Sequence, residues 1–187
     1  MIDIARLNQQ FEQKFGSCVM ASYAIVANYF DNNVNITDVF DEYCNIFKIP
    51  FETSTQSEQY CGEHLNEYCQ NIKNWRGYEM TNCLHNNSTN HLFIHNRSLF
   101  TAQIYSLEKL TSSQYSDLVN LLKNNEALAN VLTRDIEIID NHSRTLCVDQ
   151  NSKLVIHDSS SIANPKIRKD VNFAYDDILE CIVYKKN

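Results

Sequence analysis

Glycine and proline are nearly missing from this chain: 3 Gly and 2 Pro in 187 residues. So few breakers exclude flexible linkers and Pro- or Gly-rich low-complexity segments, and no internal repeat is present. The chain is therefore read as a single domain, 1–187, long enough to bury a core without disulfides or metal. Basic residues are also scarce. The 16 Lys and Arg stand against 23 Asp and Glu, for a net charge of -7. The densest basic stretch, Lys166 to Lys169, is followed at once by Asp170. Phosphate binding needs clustered cations, so nucleic acid is not an expected partner.

Long apolar runs are absent as well. No window approaches the roughly eighteen apolar residues of a membrane span. The start Met1-Ile2-Asp3-Ile4-Ala5-Arg6 lacks the basic region and apolar run of a signal peptide. No membrane partner is expected, and the expected compartment is the cytoplasm, or export without a cleavable signal peptide. The 7 cysteines, at 18, 44, 61, 69, 83, 147 and 181, are odd in number and scattered. They read as reduced thiols rather than a secreted disulfide framework.

Against these absences one stretch stands out, Phe15-Gly16-Ser17-Cys18 followed by Val19 to Phe30. Only Ser22 and Asn28 are plainly polar between Val19 and Phe30. A helix apolar on nearly every side belongs in a core. Cys18 falls in its first turn, where unpaired N–H groups and the positive end of the helix dipole favour a negatively charged sulfur. A buried helix presenting a nucleophilic Cys18 is the first expectation.

Asp31-Asn32-Asn33 ends that helix in turn residues. A second helix is predicted over Val39 to Lys48, started at Thr37-Asp38 and closed by Ile49-Pro50. A third runs from about Ser57 to Trp75, with Cys61, Leu65, Tyr68, Ile72 and Trp75 at helical spacing. Cys61, His64 and Cys69 share much of that face, but they lack a fourth ligand and zinc-like pairing, so they read as core thiols beside a histidine. Strands are predicted over Tyr78 to Leu84 and Ser98 to Leu107. Cys83, His85, His91 and His95 lie between them in what reads as a polar loop, at spacings that fit no knuckle pattern.

Thr111-Ser112 caps a helix over Ser113 to Lys123, where Tyr115, Leu118, Val119 and Leu122 recur at helical spacing. Strands follow at Ala127 to Thr133, Ile136 to Ile139, Thr145 to Val148, Lys153 to His157 and Cys181 to Tyr184. A short helix, Tyr175 to Glu180, precedes the last of these. Helices first and an antiparallel sheet after is an α+β arrangement.

A nucleophilic thiol needs a base. His142 opens a predicted β-hairpin whose turn is centred between Gln150 and Asn151, which brings His142 almost opposite Asp158. A carboxylate there would hold the imidazole tautomer and stabilise the imidazolium. A Cys with His and Asp far downstream is the pattern of a nucleophile assembled by the fold. His157 is the rival base. It adjoins Asp158, so on a strand the two side chains face opposite sides.

Gly16-Ser17-Cys18 at a helix start, Asn141-His142 before a hairpin, and Asp158 beyond it together resemble a papain-like cysteine peptidase. Within that group the bacteriocin-processing, double-glycine leader peptidases are most similar, and the stretch Leu121-Leu122-Lys123-Asn124 through Leu132 looks like theirs too. The resemblance implies a compact α+β fold with the cysteine on a central helix packed on the sheet. It also implies an oxyanion-hole glutamine shortly before the cysteine. Glu12 occupies the family's usual place; Gln13 is one position nearer the cysteine and Gln10 two positions further, and Gln13 is the candidate chosen here. Ser17 and Val19 stand where the family has Asp and Gly, and Ser159 follows Asp158 in place of Pro, so leader processing itself is not implied.

The expected activity is hydrolysis of peptide or amide bonds in a protein or peptide substrate, as in a cysteine peptidase. Cys18 would attack, His142 would transfer protons, Asp158 would orient His142, and Gln13 with the Cys18 N–H would receive the oxyanion. No metal or organic cofactor is called for. A protein glutamine deamidase or acyltransferase would use the same triad, and an inactive papain-like scaffold serving as a binding module is the other class.

Overall fold

The computed structural model describes residues 2–7, 18–31, 33–34, 39, 78–81, 92–95, 97–106, 108–135, 140–158, 167–169 and 175–187. Over these the chain is α+β. A short helix α1 (Ile4–Leu7) precedes α2 (Cys18–Phe30). Strands β1 (Tyr78–Thr81) and β2 (Leu92–His95) pair antiparallel as a separate ribbon. Next come β3 (Phe100–Ser106), helix α3 (Ser112–Asn124), β4 (Ala127–Asp135), β5 (Asp140–Val148), β6 (Leu154–His157), β7 (Ile167–Lys169) and β8 (Ile178–Lys186). These six strands form one sheet in the order β3-β8-β4-β5-β6-β7, with every neighbouring pair antiparallel.

The centre of the sheet is buried on both faces. In β4 every residue from Ala127 to Thr133 is buried, the pattern of a continuous apolar strand rather than a half-solvated one. Ala127, Ala129 and Val131 join Leu118 and Leu122 of α3, with Leu146, Val148, Ile156, Cys181 and Val183, in one core cluster. Side chains alternate along a strand, and the other face meets α2. There Tyr23 packs its ring 6.0 Å from Tyr184 and 6.4 Å from Phe100. The Tyr23 hydroxyl accepts from Arg97 Nε at 3.0 Å.

The expected burial of α2 is observed. From Ala21 to Phe30 only Asn28 is not buried, and its side-chain amide is used to donate to the Val34 carbonyl at 2.6 Å. Helix α3 begins as its sequence predicts. Thr111 Oγ1 accepts from the Gln114 N–H at 3.2 Å while Gln114 Oε1 accepts from the Thr111 N–H at 2.9 Å, a reciprocal capping box.

Four expectations change. Leu92–His95, taken as part of a polar loop, is a strand paired with β1, because Leu92-Phe93-Ile94 supplies the apolar run that an exposed loop lacks. The helix expected over Tyr175 to Glu180 is a single 3-10 turn, Tyr175–Asp177; Ile178 and Glu180 are already buried strand residues. Ile167–Lys169, read only as a basic cluster, is the edge strand β7. The hairpin turn is centred on Asn151, because Val148 pairs with Leu154 and the Asp149 N–H donates to the Lys153 carbonyl at 2.9 Å. Asp149 Oδ1 closes the turn by accepting from the N–H groups of Asn151 and Lys153. Ser152 takes the left-handed conformation, with φ 62°. The helix expected over Val39 to Lys48 (apart from Val39), the one over Ser57 to Trp75, the strand Ile136 to Ile139, Gln13, and Cys61, His64, Cys69, Cys83, His85 and His91 lie outside the described residues.

Candidate active site

The site is positioned by the contact between α2 and β5. Thr145 Oγ1 reaches the Ser22 carbonyl at 3.5 Å. One helical turn before Ser22, about 5.4 Å along the axis, is Cys18, the first residue of α2 and half-buried. Three residues before Thr145 is His142. Both side chains therefore come from the same end of the α2–β5 contact, and Cys18 is close enough to the His142 ring to raise its pKa.

On its other side the ring meets Asp158, with Nε2 2.7 Å from Oδ1. An ionised carboxylate only accepts, so Nε2 carries a hydrogen and Nδ1 is the nitrogen left for the thiol. His142 and Asp158 are both buried, at 7% and 3% exposure. Burial works against a charged ring. The hydrogen bonds to Asp158 and Cys18, together with the negative charge of each, outweigh it and raise the His142 pKa from 6.5 to about 9. The ring is thus an imidazolium at neutral pH.

Comparison of the chain with protein-family models, curated proteins and solved structures finds no match. The geometry therefore stands by itself.

Of the predicted site residues, Cys18, His142 and Asp158 are brought together. Gln13 lies outside the described residues. His157 is turned away from them: it pairs in register with Thr145 and is 1% exposed, buried on the strand beside Asp158.

One functional neighbour was not anticipated. Continuing the observed register one step past the Thr145–His157 pair puts Arg144, not His142, directly across from Asp158. Arg144 Nε donates to Asp158 Oδ2 at 2.8 Å, and Nη1 donates to Thr133 Oγ1. Thr133 in turn donates to the His142 carbonyl at 3.1 Å, across the register pair Thr133–His142. The signal that finds Arg144 in a sequence is the turn itself. Asp149 through Lys153 centred on Asn151, rather than a tighter turn one half-step earlier, selects it.

The remaining described cysteines are unlike Cys18. Cys147 and Cys181 are fully buried in the sheet. Burial pushes the Cys147 thiol up to about 12 and raises that of Cys181 as well. Neither is a nucleophile in the folded chain.

Proposed function

We propose that the protein is a thiol hydrolase acting on peptide or amide bonds, a cysteine peptidase-like enzyme with Cys18, His142 and Asp158 as its triad. The observation that carries this is the His142 ring held between a carboxylate at 2.7 Å and a cysteine thiol, with the three groups supplied by a helix start, a strand start and the end of the next strand. Buried core cysteines need no such partner, and Cys147 and Cys181 have none of this kind.

In the proposed reaction Cys18 sulfur attacks the carbonyl carbon of an amide, and the C–N bond breaks as His142 delivers its proton to the leaving nitrogen. A water then adds to the thioester while neutral His142 takes one of its protons, and the sulfur departs with the acid as product. Asp158 stays ionised throughout, keeps the ring oriented and stabilises its charged form whenever it carries the second proton. The Cys18 N–H, at the first described residue of α2, is the proposed donor to the carbonyl oxygen, where a helix start stabilises negative charge. The three residue types and their chain order are those of the papain-like peptidases the sequence resembles. Gln13 is retained as the proposed second oxyanion donor.

The test is cysteine-resolved alkylation. With iodoacetamide at about pH 6, Cys18 should label at least about tenfold faster than Cys147 and Cys181, and His142→Ala should abolish that preference. Equal, slow labelling of the three thiols in the folded wild type would refute the nucleophile.

A further inference from the structure

We propose that Arg144 is a positioning residue for the His142–Asp158 pair, the guanidinium acting as a fork that ties the Asp158 carboxylate to the His142 strand through Thr133. The inference rests on the His142–Asp158 pair described above, and the measurement below tests it whether or not Cys18 is a nucleophile.

A carboxylate at the end of a strand can rotate about its last bonds. With one oxygen bound to His142, rotation would exchange the two oxygens or carry both away from the ring. Arg144 prevents this from the other side: Nε holds Oδ2 at 2.8 Å while His142 holds Oδ1 at 2.7 Å. A planar guanidinium fixes its donors relative to one another. A second nitrogen, Nη1, is anchored on the Thr133 hydroxyl, and that hydroxyl spends its own hydrogen on the His142 carbonyl at 3.1 Å. The chain of bonds therefore leaves the His142 ring through Asp158 and returns to the His142 backbone. Every link has one donor and one acceptor, and every member is buried. Closed, fully satisfied polar networks of this kind fix orientation where single hydrogen bonds do not.

A bland alternative is that Arg144 only supplies a positive charge that neutralises a buried carboxylate. The two roles predict opposite signs at His142. The charged groups that act on the ring among the described residues are Cys18 from α2 and Asp158 from the end of β6; Arg144 of β5 binds the far oxygen of Asp158, and β4 presents the uncharged Thr133 hydroxyl. Removing a nearby positive charge without moving Asp158 favours the imidazolium. Releasing Asp158 from the ring disfavours it, because burial is then opposed by Cys18 alone.

The experiment is the titration of the His142 ring by NMR in the full chain, wild type against Arg144→Gln, with iodoacetamide labelling of Cys18 alongside. Positioning predicts a midpoint about one pH unit lower in R144Q. An unchanged or raised midpoint overturns the proposal. Should R144Q not fold, Thr133→Val decides. It keeps both charges and replaces one hydroxyl by a methyl, so any fall in the midpoint is geometric, and about half a unit is expected. A T133V protein indistinguishable from wild type overturns the proposal equally. If wild-type Cys18 shows no preferential labelling while the R144Q midpoint still falls, the hydrolase reading fails and the role of Arg144 stands.

Discussion

Replacing Asp158 by Asn removes the one negative charge shared by two buried cations, and the effect on stability should depend on pH in a direction the site dictates. Arg144 and His142 are each 7% exposed, and both bind Asp158. Removing one partner of a buried ion pair costs about 3–5 kcal/mol, because the other charge stays behind uncompensated. His142 adds a part that varies with pH. Its rise from 6.5 to about 9 in the folded chain corresponds to about 3 kcal/mol favouring the charged ring over the unfolded reference. The folded pKa lies above the unfolded one. That contribution is therefore complete below about pH 6.5 and is lost as pH rises through about 9. In Asp158→Asn the ring keeps only Cys18 against burial, so most of this contribution is gone at every pH.

The gap between wild type and variant should accordingly be widest in weak acid. Urea denaturation under reducing conditions should give a gap of about 7 kcal/mol at about pH 6, narrowing to about 4 kcal/mol at about pH 9.5, where His142 is neutral and only the loss at Arg144 remains. The m-value should not change, since the buried surface is the same. A gap below about 1 kcal/mol at about pH 6 would mean that the carboxylate is not supporting the two cations. A gap that widens with pH would mean that His142 is not the group being held.

If the hydrolase reading is right, activity on any amide substrate should fall as pH rises through about 9, where His142 loses the proton it donates to the leaving group. Thr111→Ala removes the reciprocal cap of α3 and should lower stability by about 1 kcal/mol without altering Cys18 labelling, as measured by denaturation and alkylation on the same protein. Phe100→Ala opens a cavity between Tyr23, Phe30 and Tyr184, whose rings lie 5.3–6.4 Å from it, and should cost about 3–5 kcal/mol in the same denaturation assay.

The parts of the fold that were legible in the sequence are those where local pattern and final environment agree. Helix α2 is apolar on nearly every side, and from Ala21 to Phe30 every residue but Asn28 is buried. Helix α3 carries its start signal, Thr111 with Gln114, and starts there. Strand β4 is buried from Ala127 to Thr133, mostly apolar with Asn130 in its middle, because α2 and α3 cover it on both faces. Illegible segments are those whose conformation is set by a partner. Tyr175 to Glu180 has helical spacing, but Ile178 and Glu180 are claimed by pairing with β4, Ile178 opposite Thr133 and Glu180 opposite Leu132. Ile167–Lys169 has no strand pattern of its own and is a strand because β6 offers it an edge, with Val155, Ile156 and His157 as its register partners.

The site follows the same division, and it turns on half a residue of register. Residue types and the predicted hairpin together single out Cys18, His142 and Asp158, because a thiol at a helix start and a histidine and a carboxylate across a hairpin are chemically conspicuous. The support beneath them is not conspicuous at all. Arg144 is an arginine in a strand and Thr133 a threonine in a strand, and each acquires meaning only when the turn is centred on Asn151. A turn centred between Gln150 and Asn151 pairs His142 with Ser159 and Arg144 with His157, which puts Asp158 on the face opposite to both. The observed turn puts Arg144 directly across from Asp158 and His142 one diagonal step away, so the carboxylate is reached from two sides by residues on the same face of β5. A diagonal contact is longer than a direct one and leaves the carboxylate freer to turn. That is the physical reason the His142–Asp158 contact needs a second holder, and the reason the holder is the residue that occupies the direct position.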